Sequence, residues 1–567
     1  MMEMKYSEII KENKKLEQTD KHSYKIAILS NIMVHQSKEI CEYTLRKNGI
    51  NAEVILGDYD NIVQDSLKYQ KVNAVLIFWE LWNFIDGLQY KIELLSDEEF
   101  SAIINKTKQE VDMVFNNLSK VSLVVVNRFS SIVFNHLSLK ENRLNILVAE
   151  LNQYLELKKN IKLIDIDKVI ASLSIGRSID LRYYYSSKTL YSIDFYKKYF
   201  EYIKPVFLSA NGKTKKALIF DCDNTLWKGI LGEDGFDKIK MYEEVQYLAV
   251  QLAKRGVIIG LCSKNNLQDV DEVLEKHPDM ILRDEHIVIK KINWEDKASN
   301  LKAIAKELNI GLDSLVFIDD SNFEVNLIKE KFPMLNVFQV PKKEYEYAMM
   351  MRTISNLFYN SKETKEDLEK VKMYKAQVAR TEVEQSIGNI EEYLKSLELQ
   401  ITIYVDDLKL VPRISQMTQK TNQFNLTTKR YTETDIKNFI NSSKHIVIAI
   451  GVNDKFGDNG VVGLVIIEYN DDFGIIDTLL MSCRILGRNI EYKFMDTIID
   501  ILKEKNISKI EAQYVRTLKN EQVVDLYDRY GFEIVERNDK NIKYQQHIKE
   551  YKKRDLNYIG VRSGSEN

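Results

Sequence analysis

The sequence predicts a multidomain α/β protein built largely on parallel sheets. At 567 residues the chain is too long for one hydrophobic core, so roughly two to four domains are expected. Short apolar runs alternate with stretches of helical spacing over most of the length, which is typical of doubly wound parallel sheets. The last part instead contains a predicted hairpin and a strand that runs into a long helix, which indicates a further α/β domain.

The balance of charge argues against protein classes that depend on a basic surface. Lys plus Arg total 81 and Asp plus Glu total 84, a net charge of −3, so we expect no nucleic-acid or membrane partner. The four cysteines lack metal-site spacing and indicate a reducing compartment. The N-terminus has no apolar signal core, and no apolar run could span a membrane. We therefore expect a cytoplasmic protein.

A leader is expected over residues 1–22, either as an amphipathic helix or as a loose segment, and a first domain over residues 23–210. The strands of this domain are predicted at residues 25–31, 52–57, 74–80, 123–129 and 161–166. Helical spacing fills the gaps, for example over residues 37–48 and 98–118. This alternation predicts a doubly wound parallel sheet.

The chain is organised around residues 217–235, ALIFDCDNTLWKGILGEDG. The apolar run 217–220 predicts a short buried strand, and Asp221 and Asp223 follow it at a spacing of two. Side chains at this spacing leave a strand on the same side, so both carboxylates can enter one site. In such a pair one carboxylate can bind a hard cation and attack phosphorus while the other moves a proton. Two acids at a strand end can also be turn formers, and this stretch alone leaves that alternative open.

Three further motifs follow in order. Ser263 ends the apolar run VIIGLCS, Lys297 stands at a predicted helix start, and Asp319 and Asp320 end the run SLVFIDD. Ligands of open α/β sheets bind beyond the carboxyl ends of the strands, so these side chains are expected to assemble in one site. Each motif alone would be weak, because a Ser after a strand is usually a turn residue and a helical Lys usually a surface charge.

The four motifs resemble the signature of the haloacid dehalogenase (HAD) superfamily of phosphatases and phosphotransferases, over residues 211–340. The resemblance implies that Asp221 is nucleophile and Mg²⁺ ligand, and that Asp223 is the general acid/base, with its backbone carbonyl on the metal. It implies that the phosphate is bound by Thr225, Ser263 and Lys297. It also implies that Asp319 and Asp320 complete the oxygen-only coordination that Mg²⁺ prefers.

The interval between Thr225 and Val257 is too short for a large cap domain. The stretch KGILGED, residues 228–234, is expected to form a small lid instead. A site with so little cover could accept a phosphate carried on a large partner.

A helical linker is predicted over residues 341–395, a C-terminal domain over 396–555 and a tail over 556–567. The C-terminal domain begins with a predicted strand, and a hairpin over 445–469 precedes a strand that enters a helix over 474–505. This order resembles the GNAT acyltransferase fold. The turn that would offer N–H groups and a helix N-terminus to a phosphate contains Arg484, Gly487, Arg488 and Asn489. Asn489 replaces a small residue of the GNAT pattern, which puts binding of free coenzyme A in doubt.

The first domain resembles the SGNH-hydrolase-like fold without its catalytic residues. It has no Gly-Asp-Ser, and no Asp-x-x-His pair stands near its end. Ser30 and Asn31 occupy the end of the first strand, where they could line a vestigial pocket. We expect a binding or docking domain that does not hydrolyse esters.

The chain as a whole resembles the FkbH-like family of HAD proteins, through FDCDNTLWKGILGEDG, QKTNQFNLTTKRY and SCRILGR. The resemblance implies a phosphorylated acyl donor such as 1,3-bisphosphoglycerate. Its acyl group would pass to the phosphopantetheine arm of an acyl carrier protein, and the remaining phosphate would be removed. The products would enter polyketide, related secondary-metabolite or glycan biosynthesis.

Cys483 is the candidate for transient attachment of the acyl group, because a helix N-terminus and cations would lower the pKa of its thiol. The alternative interpretation is that Cys483 is a small buried residue of the core, as most free cysteines are. Cys222 and Cys262 are expected in the core. Thr421, Asn422 and Gln423 are expected near the cleft for the phosphopantetheine arm.

Two other classes of function stay open. The chain could be a phosphatase fused to a GNAT domain that acylates an amino sugar. It could also be a binding or regulatory protein with a vestigial HAD site.

Overall fold

The computed structural model describes residues 1–17, 23–135, 141–158, 160–360, 369–387, 389–482, 485–517 and 519–564. The chain divides into two compact units, residues 1–211 and 212–567. Two five-stranded parallel sheets and a large mixed sheet form the multidomain α/β architecture that the sequence predicts. Within the described ranges, no helix is long and apolar enough to cross a bilayer.

The first unit contains a parallel sheet of strand order β2-β1-β3-β4-β5. The strands are β1 (Tyr24–Ser30), β2 (Ala52–Leu56), β3 (Ala74–Phe78), β4 (Leu123–Asn127) and β5 (Ile161–Ile164). The helices are α1 (Tyr6–Lys15), α2 (Ser37–Arg46), α3 (Ile62–Lys68), α4 (Leu88–Lys91), α5 (Asp97–Asn117), α6 (Arg143–Glu156), α7 (Ile166–Ala171), α8 (Ile175–Ser178), α9 (Leu181–Ser187) and α10 (Ile193–Ala210). All five predicted strands are present. β3 and β4 are buried along their whole length, as continuous apolar runs in a covered parallel sheet should be.

The first segment is part of the folded unit over residues 6–15, so the expectation of a leader outside the domain is wrong there. Ile9 is fully buried, and Nδ2 of Asn13 donates to Oε2 of Glu42 on α2 at 3.0 Å. The amphipathic helix, which was one of the two alternatives, covers α2 with its apolar face.

The second unit begins with a parallel sheet of order β10-β9-β6-β11-β12. Its strands are β6 (Ala217–Phe220), β9 (Ile258–Ser263), β10 (Ile287–Ile292), β11 (Leu315–Asp319) and β12 (Asn336–Gln339), and a separate ribbon pairs β7 (Trp227–Lys228) with β8 (Lys240–Met241). The helices are α11 (Leu231–Asp234), α12 (Glu243–Lys254), α13 (Leu267–Lys276), α14 (Lys297–Glu307), α15 (Asn322–Lys331) and α16 (Glu344–Ser355). Because β6 lies between β9 and β11, the carboxyl ends of these three strands meet.

The predicted linker is helical, but its first half belongs to the core of this sheet. α16 buries Tyr347, Met351 and Ile354 in the same cluster as residues of β6 and β11. α17 (Lys370–Ile387) and α18 (Ile390–Ser396) follow. Apolar residues on one face of α16 therefore make residues 344–355 part of the domain rather than a linker.

The C-terminal part forms a mixed sheet of order β18-β19-β17-β16-β15-β14-β13-β20. The strands are β13 (Gln400–Val405), β14 (His445–Asp454), β15 (Gly457–Asn470), β16 (Phe473–Met481), β17 (Lys509–Val515), β18 (Glu533–Arg537), β19 (Asn541–His547) and β20 (Gly560–Ser563). The helices are α19 (Val411–Lys420), α20 (Glu433–Ile440), α21 (Ile490–Glu504) and α22 (Leu526–Arg529). The predicted hairpin is confirmed as β14 and β15.

The tail predicted over residues 556–567 is not separate from this sheet. β20 pairs in parallel with β13, from Gln400 with Gly560 to Ile403 with Ser563. The prediction failed because a four-residue edge strand with an exposed, polar sequence has no alternating pattern to mark it.

A segment of three residues, 424–426, closes a gap inside the mixed sheet; we call it the wedge segment. β16 and β17 pair only from Phe473 to Ile476 and then separate. The wedge segment enters between them, with backbone hydrogen bonds from Leu426 N to Leu479 O at 3.1 Å and from Val515 N to Leu426 O at 2.7 Å. It thus satisfies backbone groups that the separation would leave without partners.

Candidate functional site

The candidate site is placed by the ends of three neighbouring strands. The N–H of Asp221 donates to Ile318 O at 2.9 Å, which continues the β6–β11 ladder by one residue. Asp319 ends β11, and Ser263 ends β9. The carboxyl ends of these strands therefore place the carboxylates of Asp221 and Asp319 and the hydroxyl of Ser263 side by side.

One carboxylate oxygen from each of Asp221, Asp319 and Asp320 lies within 4.8 Å of the other two. Lys297, the first residue of α14, enters this cluster from the side: its Nζ is 3.1 Å from Oδ1 of Asp221 and 2.7 Å from Oδ2 of Asp319. Ser263 lies near Asp221 and lowers the pKa of that carboxyl, against the effect of burial. The structure thus brings together five of the residues that the sequence singled out.

Burial shapes the electrostatics of this cluster. Burial raises the pKa of Asp221, although the positive charge of Lys297 opposes the rise. Burial and the negative charge of Asp221 together raise the pKa of Asp319 to about 6. Burial and then Asp319 raise the pKa of Asp320. Burial lowers the pKa of Lys297, but Asp221 and Asp319 outweigh it, so that this pKa lies above its usual range.

The donor set fits Mg²⁺. Three carboxylates face one ammonium group, so the buried cluster is short of positive charge. The clustered ligand atoms are carboxylate oxygens, and Mg²⁺ prefers oxygen. The contact of the backbone carbonyl of Asp223 with the metal stays a prediction. The residues that could hold the ion are Asp221, Asp319 and Asp320.

The carboxylate of Asp223 lies outside this cluster and is held by three donors. Its Oδ1 accepts from Nε1 of Trp227 at 2.9 Å and from the N–H of Leu231 at 3.1 Å. Its Oδ2 accepts from Nδ2 of Asn265 at 2.9 Å. Asp223 therefore ties the end of β6 to the segment that follows it.

That segment contains residues 228–234, which the sequence predicts to be a small lid, and we use the name lid for residues 227–241. Residues 227–241 form the β7–β8 ribbon with the single-turn helix α11 between the strands, and α12 follows directly. The described residues between Thr225 and Val257 contain no cap domain. The N–H of Gly229 donates to Oδ1 of Asn224 at 3.0 Å, which fixes the start of the lid.

Thr225, predicted to bind phosphate, is completely buried. Its carbonyl accepts from the hydroxyl of Tyr347 at 2.9 Å, while its Oγ1 has no hydrogen-bond partner within the described chain. Its contact with phosphate stays a prediction.

Three residues at the site were missed by the sequence reasoning: Asn224, Trp227 and Asn265. Asn224 has a positive φ of 52°, and its side chain lies near Asp320, where it opposes the rise in the pKa of that carboxyl. Asn265 follows Ser263 at a spacing of two, the same signal that linked Asp221 with Asp223, and could have been found by it. The contact of Trp227 depends on the turn of the lid, which the sequence does not specify.

The structure describes only some of the predicted acyl-binding residues. Cys483 and Arg484 lie outside the described residues. Arg488 is 3% exposed, and its Nη1 contacts Oδ2 of Asp454 at 3.1 Å, so its guanidinium points inward and does not face a phosphodiester as predicted. The cause is the buried carboxylate of Asp454, which also pairs with Arg380 at 2.8 Å.

Gly487 and Asn489 have positive φ angles of 81° and 61° directly before α21. Nδ2 of Asn489 donates to the hydroxyl of Tyr558 at 2.8 Å. Thr421, Asn422 and Gln423 lie between α19 and the wedge segment and line a cavity. Their part in binding a phosphopantetheine arm stays a prediction.

In the first unit, Ser30 and Asn31 are buried and serve the fold. Oγ of Ser30 accepts from the N–H of Ile32 at 3.1 Å. The side chain of Asn31 donates to the carbonyl of Glu80 at 2.8 Å and accepts from its N–H at 2.7 Å. These bonds link the ends of β1 and β3. Cys222 and Cys262 are buried in the core of the second unit, as predicted.

Fold and site together define a multidomain α/β protein with a buried carboxylate–lysine centre at the carboxyl edge of a parallel sheet. The chain is similar to the N-terminal part of protein BF1531 from Bacteroides fragilis, which contains a phosphatase domain and was solved with Mg. The two share 23% identity, with a TM-score of 0.54 over 63% of this chain and 100% of that one. At this identity the similarity shows the fold alone.

Two N-acetyltransferase structures match more distantly. The ribosomal-protein-S18-alanine N-acetyltransferase from Escherichia coli is 12% identical, with a TM-score of 0.21 over 26% of this chain and 94% of that one. The PaiA N-acetyltransferase from Thermoplasma acidophilum, solved with coenzyme A, is 12% identical, with a TM-score of 0.22 over 26% and 98%. Scores this low carry no argument about fold or activity. No family model and no curated protein matches the chain.

Proposed function

We propose that this protein is a Mg²⁺-dependent phosphatase of the HAD type joined to an acyltransferase. It would load an acyl unit from an acyl phosphate, such as 1,3-bisphosphoglycerate, onto an acyl carrier protein in the cytoplasm and remove the remaining phosphate. The observation that carries the phosphatase part is the buried cluster of Asp221, Asp319 and Asp320 around Lys297. The B. fragilis protein with the similar fold contains a phosphatase domain and was solved with Mg, which supports the choice of metal.

Each residue of the cluster has a chemical part in this proposal. An oxygen of Asp221 attacks phosphorus, and the bond from phosphorus to the leaving oxygen breaks while that oxygen takes a proton from Asp223. Water then attacks the phosphoaspartate, gives its proton to Asp223 and frees inorganic phosphate and the Asp221 carboxylate. Lys297 and Ser263 bind the phosphoryl oxygens and stabilise the charge that develops on them.

Mg²⁺, held by Asp221, Asp319 and Asp320, would supply positive charge to the phosphoryl group. The proton of Asp223 belongs on Oδ2, because Oδ1 already accepts two hydrogen bonds and Oδ2 accepts one. The lid that these bonds anchor limits the entry of water from its side.

The acyltransferase part rests on the sequence resemblance. Cys483 would take the acyl group from the acyl phosphate as a thioester, releasing phosphate, and pass it to the thiol of the phosphopantetheine arm. The mixed sheet of residues 400–563 would hold that arm. The first unit would act as a binding or docking domain.

Asp221→Asn tests the phosphatase part. Phosphate release from a small phosphate ester is expected to fall by about 10³-fold or more, because an amide is a poor nucleophile and a poor metal ligand. EDTA should have the same effect on the unmodified enzyme. The control is Asp237→Asn on the exposed side of the lid, which should keep full activity. Full activity of Asp221→Asn would refute the mechanism.

A further inference from the structure

A cavity of about 770 Å³ lies at the amino ends of the strands of the second unit's parallel sheet, whereas the carboxylate cluster lies at their carboxyl ends. It is lined by the segments that lead into three strands, residues 213–216 before β6, 255–257 before β9 and 312–314 before β11. The end of α19 and residues 421–424 form another wall. Its volume is in the range of small-molecule sites.

Positive charge is concentrated around this cavity. The basic residues in its lining are Lys213, Lys215, Lys216, Arg255, Lys370, Arg413, Lys420 and Lys519. Asp313 is the acidic residue in the described lining, and its carboxylate already contacts Nζ of Lys519 at 2.6 Å. The net charge of the whole chain is −3, so eight cations around one cavity are a local feature and not a consequence of composition.

Lys215 is a half-buried residue of this lining that is influenced by two other cations, Lys213 and Lys519. Nζ of Lys215 donates to the carbonyl of Asp313 at 2.6 Å. The pKa of Lys215 is lowered to about 8. Burial is the main cause, the charge of Asp313 opposes it, and the charges of Lys519 and Lys213 add to the lowering. Lys215 therefore lies in a field of like charge, which an anion bound in the cavity would offset.

We propose that this cavity binds an organic phosphate that carries two or more negative charges. Lys and Arg side chains suit phosphate oxygens, and the bidentate geometry of Arg suits them in particular. Phe358, Tyr374 and Phe424 contribute apolar surface to the same lining, against which the organic part of such a molecule can pack. The cavity is separate from the phosphatase site, and its lining includes Thr421, Asn422 and Gln423, which the sequence predicts near the phosphopantetheine arm. The proposal does not depend on the proposed function, because it rests on the basic lining.

The first test uses ADP as the probe, in the Asp221→Asn background with EDTA, so that the phosphatase site neither turns over nor holds a metal. Calorimetry should show saturable binding of ADP that weakens as ionic strength rises. Pyrophosphate should bind more weakly because it lacks the organic part, and adenosine should not bind. Absence of saturable binding of both ADP and pyrophosphate at millimolar concentration would overturn the proposal.

The double variant Lys213→Gln/Lys420→Gln locates the site. The affinity for ADP should fall by about tenfold or more, because charge-assisted hydrogen bonds are lost. The matched control is Lys276→Gln/Lys437→Gln, two exposed lysines outside the cavity, which should keep the affinity. Unchanged affinity in the first variant, or a loss of affinity equalled in the control, would overturn the proposal.

A measurement on the chain with native lysines covers the case in which the double variant does not fold. Acetic anhydride labelling, read by mass spectrometry, should show that ADP protects Lys213, Lys215 and Lys420 and leaves Lys276 as reactive as before. Equal labelling of all four lysines with and without ADP would overturn the proposal.

Discussion

Asp221 and Asp223 both follow β6 closely but have different environments. The carboxylate of Asp221 lies in the cluster with Lys297, whereas that of Asp223 is held by Trp227, Leu231 and Asn265 of the lid and the β9 end. The difference suits the two roles proposed for them, since a nucleophile must face phosphorus and a proton carrier must face the leaving oxygen. It also couples the position of the lid to the group that moves the proton.

The sequence could predict the cluster because each of its residues stands at a strand end or helix start. Apolar runs place Asp221, Ser263 and Asp319 at strand ends, and ligands of open α/β sheets bind beyond those ends. The surroundings of Asp223 could not be predicted in the same way. The indole of Trp227 and the backbone of Leu231 reach it only after the chain has turned through the lid, and turn geometry is not encoded in periodicity.

Glu80 of the first unit is a buried carboxyl that the sequence did not single out. It is 5% exposed, and its Oε1 accepts from the hydroxyl of Tyr191 at 2.8 Å. Burial raises the pKa of Glu80 from 4.5 to about 7; the bond from Tyr191 opposes this, and Asp167 adds to it. The folded chain therefore keeps a proton on Glu80 at pH values at which the unfolded chain has lost it.

The contribution of Glu80 to the free energy of unfolding should consequently decrease as pH rises from about 4.5 to about 7 and should then level off. Glu80→Gln keeps the acceptor for Tyr191 and removes the titration. The difference in unfolding free energy between the wild type and this variant should change by up to about 3 kcal/mol across that range. Urea denaturation at several pH values measures it. Parallel pH profiles for the two proteins would show that Glu80 does not titrate as described.

At the scale of elements, apolar patterning predicted the strands of both parallel sheets and failed where pairing depends on distant segments. β20 has four residues and no alternation, and its partner β13 lies far from it in the sequence. The wedge segment is likewise defined only by the gap it fills between β16 and β17. Neither element has a local signal, so neither could be found before the sheet was known.

Asn520 holds the wedge segment in place. Its Nδ2 donates to the carbonyls of Asn425 and Val515, both at 2.9 Å, and its Oδ1 accepts from the N–H of Thr517 at 2.8 Å. The side chain is completely buried. It therefore connects the wedge segment to the end of β17.

Asn520→Ala is expected to destabilise the second unit by about 3 kcal/mol, because it leaves buried backbone groups without partners. Thermal unfolding should show a lower midpoint for the transition of this unit. Asn470→Ala, at the exposed end of β15, is the matched control and should have little effect. Equal stability of the two variants would mean that the wedge segment does not depend on Asn520.

At the scale of the whole second unit, one parallel sheet has opposite chemistry at its two edges. Its carboxyl edge has three clustered carboxylates, which suit a cation. Its amino edge borders a cavity lined by eight basic residues, which suit an anion. The net charge of −3 conceals this separation, so only the fold could reveal it.

The most direct test of the proposed function is the intact mass of an acyl carrier protein after incubation with the enzyme, Mg²⁺ and 1,3-bisphosphoglycerate. The wild type should add a glyceryl unit without phosphate. Asp221→Asn should leave a unit that still bears its phosphate, and Cys483→Ala should leave the carrier unmodified yet still release phosphate from a small ester. A carrier that stays unmodified with the wild-type enzyme, or an identical dephosphorylated product with Asp221→Asn, would contradict the account.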